Sequence, residues 1–160
     1  VPSPVIVLLP GVDGTGDLFE PLLTELPQSQ RTQVVSYAAD CRSYADCVSH
    51  ARTALPANQE FVLLAESFSG PVAVALAAEK PRGLKGLILC ASFIRSPSSL
   101  LTALKPLVEL GPASRPPAPL MAAFLLGCFD TAERREQNFL LQANPVSAAA
   151  AITSFVNALS

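Results

Sequence analysis

The chain has 160 residues, half of them apolar and 15% charged, which is enough for one domain with a real core and excludes a disordered tail. Eleven lysines and arginines against thirteen aspartates and glutamates leave a net charge of −2, so no basic footprint marks it for nucleic acid or an anionic membrane surface. The longest apolar run, Leu120–Phe129, falls well short of the roughly 20 residues that span a bilayer.

Val5–Leu9 (VIVLL) is a β-branched run closed by Pro10-Gly11 and reads as a buried strand. Val12–Asp17 (VDGTGD) is a glycine-rich turn. Leu18, Leu22, Leu23 and Leu26 then share one helical face, with Asp17 placed to cap it. Thr32–Tyr37 reads as a second strand, and Ser43–Leu55 as a helix whose stripe is Tyr44, Val48, Ala51 and Leu55. Phe61–Ala65 (FVLLA) is a third strand, Gly70–Glu79 a small-residue helix with Pro71 in its first turn, and Leu84–Ala91 a fourth strand. Strand and helix thus alternate through short connections. The pattern predicts an α/β fold whose mainly parallel sheet, ordered 2-1-3-4, is covered by helices on both faces.

After Ser92 the pattern changes. Residues 95–130 are proline-rich with short apolar pieces, Leu120–Phe129 is helix or strand by pattern alone, and Thr131–Asn138 is polar. Pro145 opens an amphipathic C-terminal helix, Val146–Leu159, within residues 145–160. No repeat divides the chain, so residues 1–160 are read as a single domain.

Four cysteines, at positions 41, 47, 90 and 128, form no CxxC pair, and His50 is the one histidine. A zinc site lacks ligands, and no cofactor is expected. Reduced cysteines serving as small hydrophobes favour a cytoplasmic setting. No cationic segment precedes a long apolar stretch, so no signal peptide is expected. Val1 reads as a start processed or cut from something longer.

The sharpest chemical signal is Leu63-Leu64-Ala65-Glu66-Ser67-Phe68-Ser69-Gly70, which fits the nucleophile elbow, small-x-Ser-x-small, between a strand and a helix. A serine in so tight a turn brings the residues two before and two after it together, so both must be small. The turn lifts the hydroxyl above the sheet at a helix N-terminus, where unpaired N–H groups favour a developing oxyanion. Directly after the first strand comes Leu9-Pro10-Gly11-Val12-Asp13-Gly14-Thr15-Gly16. In the order 2-1-3-4 the loops leaving strands one and three meet at the topological switch point, which sets this loop against Ser67. The N–H groups of Phe68 and Val12 are then the two expected oxyanion donors. Gly11, Gly14 and Gly16 match neither GxGxxG nor GxxxxGK[ST], so a nucleotide loop is disfavoured.

PGVDGTGDLFEPLL, FVLLAESFSGPVAVALAAEKP and LKGLILCASF resemble the N-terminal half of a bacterial α/β-hydrolase. The likeness is to the small esterase-like proteins related to pimeloyl-carrier methyl ester esterase. It covers about residues 4–95 and implies Ser67 as nucleophile, Val12 and Phe68 as oxyanion-hole amides, a small acyl ester as substrate, and the start of a lid after Ser92. The resemblance resumes at the C-terminus. Family members end with a histidine, a proline seven residues later and an amphipathic helix. Here Asn138 stands in the histidine place before Pro145. Between Phe129 and Glu136 there is no room for the rest of the lid or for the strands carrying the acid, so the chain reads as an internally deleted, truncated α/β-hydrolase.

A serine hydroxyl needs a base to act as a nucleophile at neutral pH. His50 lies away from the apolar stripe of its helix and is expected to face solvent. Asn138 accepts no proton. Asp13, Glu66 and Asp130 are the conceivable substitutes, with Asp13 nearest but also suited to plain turn chemistry, and Glu66 suited to bracing the elbow. Losing a triad member typically leaves roughly 10³–10⁴-fold catalysis over water, so weak or absent esterase activity is expected. The competing reading is a non-catalytic remnant serving as a binding or assembly protein. The deletion would leave Leu84–Ala91 as a bare sheet edge, to be covered by Leu120–Phe129 or by a second copy, which predicts a homodimer or domain-swapped pair.

Overall fold

A computed structural model describes residues 3–39, 41–92 and 144–159. All belong to one compact unit built from Val1–Ile94 and Leu140–Ser160. The expectations on Leu120–Phe129, the proline-rich stretch 95–130, Asp130 and Asn138 lie outside the described residues.

Strands β1 (Val5–Leu9), β2 (Thr32–Val34), β3 (Phe61–Glu66) and β4 (Leu84–Cys90) form an all-parallel sheet in the order β2-β1-β3-β4. The α/β architecture and strand order are those expected from the alternating pattern. The α-helices among the described residues are α1 (Glu20–Glu25), α2 (Tyr44–Thr53), α3 (Gly70–Ala78) and α4 (Pro145–Ala158).

Side chains alternate across a strand, and here both sets are buried. Val5, Val7, Leu9, Phe61, Leu63 and Ala65 form one core with residues of α2 and α3, Cys47, Ala51, Val72 and Leu76 among them. Ile6, Leu8, Val62 and Leu64 form the other with Phe19, Leu22 and Leu26 and with Ala149, Ile152 and Val156 of α4. The path of the chain explains the split. From β1 it steps outward to β2, then back across to β3 and on to β4. Crossovers of one hand therefore put the first helix on one face and α2 and α3 on the other. Burying each such side chain contributes roughly 1.5–3 kcal/mol, which is why β1 and β3, apolar on both faces, sit at the centre.

Three local details depart from the sequence expectations. Asp17 does not cap the first helix: Gly16, at φ 84°, leads into a single 3₁₀ turn, Asp17–Phe19, and α1 begins at Glu20. A Cβ on Gly16 would stand 2.3 Å from Val34 Cγ1, so this turn demands glycine. The core stripe accordingly shifts to Phe19, Leu22 and Leu26 and leaves Leu18 exposed. Strand β2 ends at Val34 rather than Tyr37. The Val35 N–H still bonds Leu8 O at 2.9 Å, but the Tyr37 N–H bonds Gly14 O at 2.8 Å, which carries the segment away from the sheet and onto the loop after β1.

The remaining elements agree to within a residue or two at their ends. Ser43 caps α2 in a reciprocal box with Asp46, and that hydrogen bonding holds the Asp46 carboxyl below the usual carboxylate range. Asn144 caps α4, accepting from the Ser147 N–H at 3.0 Å, with Pro145 at its first position. Gly86 of β4 lets α4 approach: a Cβ there would meet the Phe155 ring at 3.0 Å and Leu159 at 3.1 Å. Among the described residues β4 pairs with β3 alone.

Candidate active site

Strand β3 ends at Glu66, and the next residue, Ser67, has φ 45°. Two other non-glycine residues among those described share that left-handed backbone. Lys80 follows the end of α3, an ordinary place for it, and Ala91 follows the end of β4. Ser67 is different because it joins a strand to a helical segment, through the 3₁₀ turn Ser67–Ser69 into α3. Holding a β-carbon there costs about 1–3 kcal/mol. A strained strand-to-helix turn is the backbone geometry expected of an elbow.

The two small residues around it are both fully buried, Ala65 and Ser69. Ser69 does more than stay small. Its hydroxyl donates to Pro10 O, and Tyr37 Oη lies 2.6 Å from it. Since the Ser69 hydrogen goes to a carbonyl, the phenol is the donor to Ser69 Oγ. Burial pushes the Tyr37 phenol up to about 12, so it keeps its hydrogen throughout the neutral range. A buried hydroxyl in place of glycine is the sequence signal for such partners. Tyr37 itself carries no such signal, because it continues the strand pattern of Thr32–Val35.

This pair of bonds ties the loop after β1 to the elbow, as the switch-point geometry predicted. Gly11 lies alongside: a Cβ placed there would stand 3.5 Å from Asp13 Oδ1 and 3.8 Å from the Glu66 carboxylate. Val12 is exposed, and its N–H has no acceptor among the described residues. The Phe68 ring is clamped, stacked on Tyr44 at 4.9 Å between centroids and edge-on to Tyr37 at 6.3 Å. Ser67 is half-buried, and its carbonyl accepts from Ser92 Oγ at 2.7 Å and from the Gly70 N–H.

Two of the candidate bases, Asp13 and His50, are hydrogen-bonded elsewhere than at Ser67. Asp13 Oδ2 accepts from the Thr15 N–H, the Thr15 hydroxyl and the Gly16 N–H, at 3.2, 2.6 and 3.2 Å. It is turn chemistry. His50, expected in solvent, is instead half-buried: α2 lies beside the segment leaving β2, and Nε2 sits 2.9 Å from Ser36 O. A carbonyl only accepts, so Nε2 carries the hydrogen. The imidazole lies edge-on to Tyr37, 6.4 Å between centroids, and Tyr37 in turn contacts Phe68 and Ser69. The histidine is thus one side chain removed from the elbow. An open concavity of about 270 Å³ borders it, lined by Cys41, Asp46, Ser49 and His50 but not by Ser67.

Cys41, Cys47 and Cys90 are free thiols. Burial and then the neighbouring Glu66 charge push Cys90 up to about 11, and burial followed by Cys41 raises Cys47. Neither is an activated thiolate. No metal-holding cluster of His, Cys, Asp and Glu occurs, and no helix is long and apolar enough to cross a membrane, among the described residues. No protein-family model matches this chain, and no curated protein matches it.

Proposed function

We propose that the chain is a serine-hydrolase-like protein of the α/β-hydrolase type that acts on small carboxylic esters through Ser67. The observation that carries this reading is the left-handed backbone of Ser67 at the β3-to-helix turn, with the loop after β1 fastened beside it by Ser69 and Pro10. In the reaction, Ser67 Oγ attacks the ester carbonyl and the oxyanion takes the N–H groups of Phe68 and Val12. The alcohol then leaves, and water releases the acid from the acyl-serine. With Asn138 in the place where the resembled family has its histidine, turnover is weak.

Fluorophosphonate labelling with peptide mapping tests it. Modification of Ser67, lost in Ser67→Ala together with hydrolysis of a short-chain p-nitrophenyl ester, is the expected result. Unchanged turnover in Ser67→Ala overturns the assignment.

A second reading is a non-catalytic remnant that keeps the elbow for binding or assembly. It is favoured by one observation: Asp13 and the Nε2 of His50 are held in local bonds and not at Ser67. An intact fold that takes no label selects it. In either case we read β4 as the edge on which a second copy pairs. Leu89 is 39% exposed on it, and a clean monomer by light scattering at tens of micromolar overturns the dimer. The free thiols support a reducing, cytoplasmic setting.

A further inference from the structure

The Ser67 carbonyl and the Phe68 N–H belong to one planar peptide unit and point opposite ways. Whatever holds the oxygen therefore aims the hydrogen. The oxygen accepts from the Gly70 N–H, a bond internal to the 3₁₀ turn, and from Ser92 Oγ at 2.7 Å, a bond from the exit of the neighbouring strand. The other expected oxyanion donor is treated alike. The Val12 N–H shares its peptide unit with Gly11 O, which accepts from the Gly14 N–H at 3.1 Å.

The backbone at Ser92 is arranged for this. Cys90 pairs with Glu66, so the exits of β3 and β4 are neighbours. Ala91, between Cys90 and Ser92, has φ 47°. Left-handed backbone is strained for an alanine, whose Cβ crowds the following carbonyl oxygen. Two strained, non-glycine strand exits, Ser67 and Ala91, are thus joined by a single hydroxyl. Ser92 is half-buried.

We propose that Ser92 is a positioning residue: its hydroxyl fixes and polarises the Ser67–Phe68 peptide so that the Phe68 N–H is presented to an anion forming at Ser67. Polarisation follows because a hydrogen bond accepted at a carbonyl strengthens the donor at the other end of the same amide. The role rests on the reading of Ser67 as nucleophile, and the two are separable by experiment.

The test compares wild type, Ser92→Ala and Ser92→Thr in the full chain. In amide NMR, the Phe68 N–H resonance shifts and its hydrogen exchange speeds up in Ser92→Ala, while Ser92→Thr, which keeps the hydroxyl, stays close to wild type. Phosphonylation of Ser67 slows about tenfold in Ser92→Ala, less than the loss of a whole oxyanion donor, and p-nitrophenyl acetate hydrolysis loses kcat at unchanged KM. A Phe68 resonance that does not move in a folded Ser92→Ala overturns the positioning role, whether or not the wild type labels. Equal labelling rates in wild type and Ser92→Ala do so too. A wild type whose Ser67 takes no label overturns the nucleophile instead and leaves the NMR result to decide on Ser92. Should Ser92→Ala fail to fold, Ser92→Cys, a weak donor of similar size, replaces it and must show the same two effects in reduced form.

Discussion

The two faces of the sheet are built from the same strands and solve different problems. The face covered by α1 and α4 is closed by Phe19, Leu22, Ile152 and Val156 over Ile6, Leu8, Val62 and Leu64. Its one buried unpaired side-chain oxygen among the described residues is Thr153 Oγ1. The face covered by α2 and α3 is as apolar at its centre but ends, near the exits of β1 and β3, in Tyr37, Ser69 and Pro10 O hydrogen-bonded together, with Phe68, Tyr44 and His50 packed round them. Area alone holds the first face. The second spends part of its interior on direction, because hydrogen bonds, unlike apolar contacts, fix which way a backbone points.

Substitutions break or sharpen that contrast. The largest effect is expected on the apolar face: Leu64→Ala, at a fully buried position, costs about 2–5 kcal/mol. Denaturant unfolding measures it, and the labelling rate of the remaining folded protein stays unchanged. Ser69→Ala is smaller in stability, about 1–3 kcal/mol, because it strands a buried phenol and a carbonyl at once. Its effect on Ser67 labelling is larger than that of Leu64→Ala, since the loop after β1 loses its tie to the elbow. Equal labelling in the two variants would erase the distinction between the faces.

Tyr37→Phe costs about 1 kcal/mol at neutral pH and changes the alkaline limb. The phenol sits near 10 unfolded and about 12 folded, so above pH 10 the unfolded chain releases a proton that the folded one keeps. Stability from Tyr37 is therefore intact below pH 10 and falls as pH rises toward 12. The variant lacks that fall, which unfolding at pH 9, 10 and 11 reads directly. The smallest effect is Thr153→Val, which removes a buried hydroxyl without a partner among the described residues. It leaves stability unchanged or raises it by up to about 1 kcal/mol, whereas a clear loss would mean that the α4 face has a polar requirement of its own.

Much of the contrast was legible in the residues. Apolar runs such as Val5–Leu9 and Phe61–Ala65 announce strands buried on both sides, and the alternation of strand and helix announces crossovers of one hand. The serine between small residues, placed after a strand, announces the turn that Ser67 occupies. Less legible were the ends of elements. Tyr37 continues the strand pattern of Thr32–Val35, yet its N–H goes to Gly14 and its hydroxyl to Ser69. Asp17 has the chemistry of a cap, yet Gly16 turns the chain and no side chain caps the turn. Local propensity gives way at Tyr37 to a contact with a loop distant in sequence, and at Gly16 to close packing against Val34 of β2.

By itself, then, the order of residues determined the sheet, its helical layers and the position of a strained serine, because periodicity and residue size act over a few neighbours. Tertiary structure alone decided that Ser69 would bond Pro10, that His50 would face Ser36 and Tyr37, and that Ser92 would reach the Ser67 carbonyl from the next strand. The hydrogen-bonded partners among them lie 14 to 59 residues apart. A hydrogen bond across such a separation depends on angstrom-level register between packed elements, which no local pattern encodes.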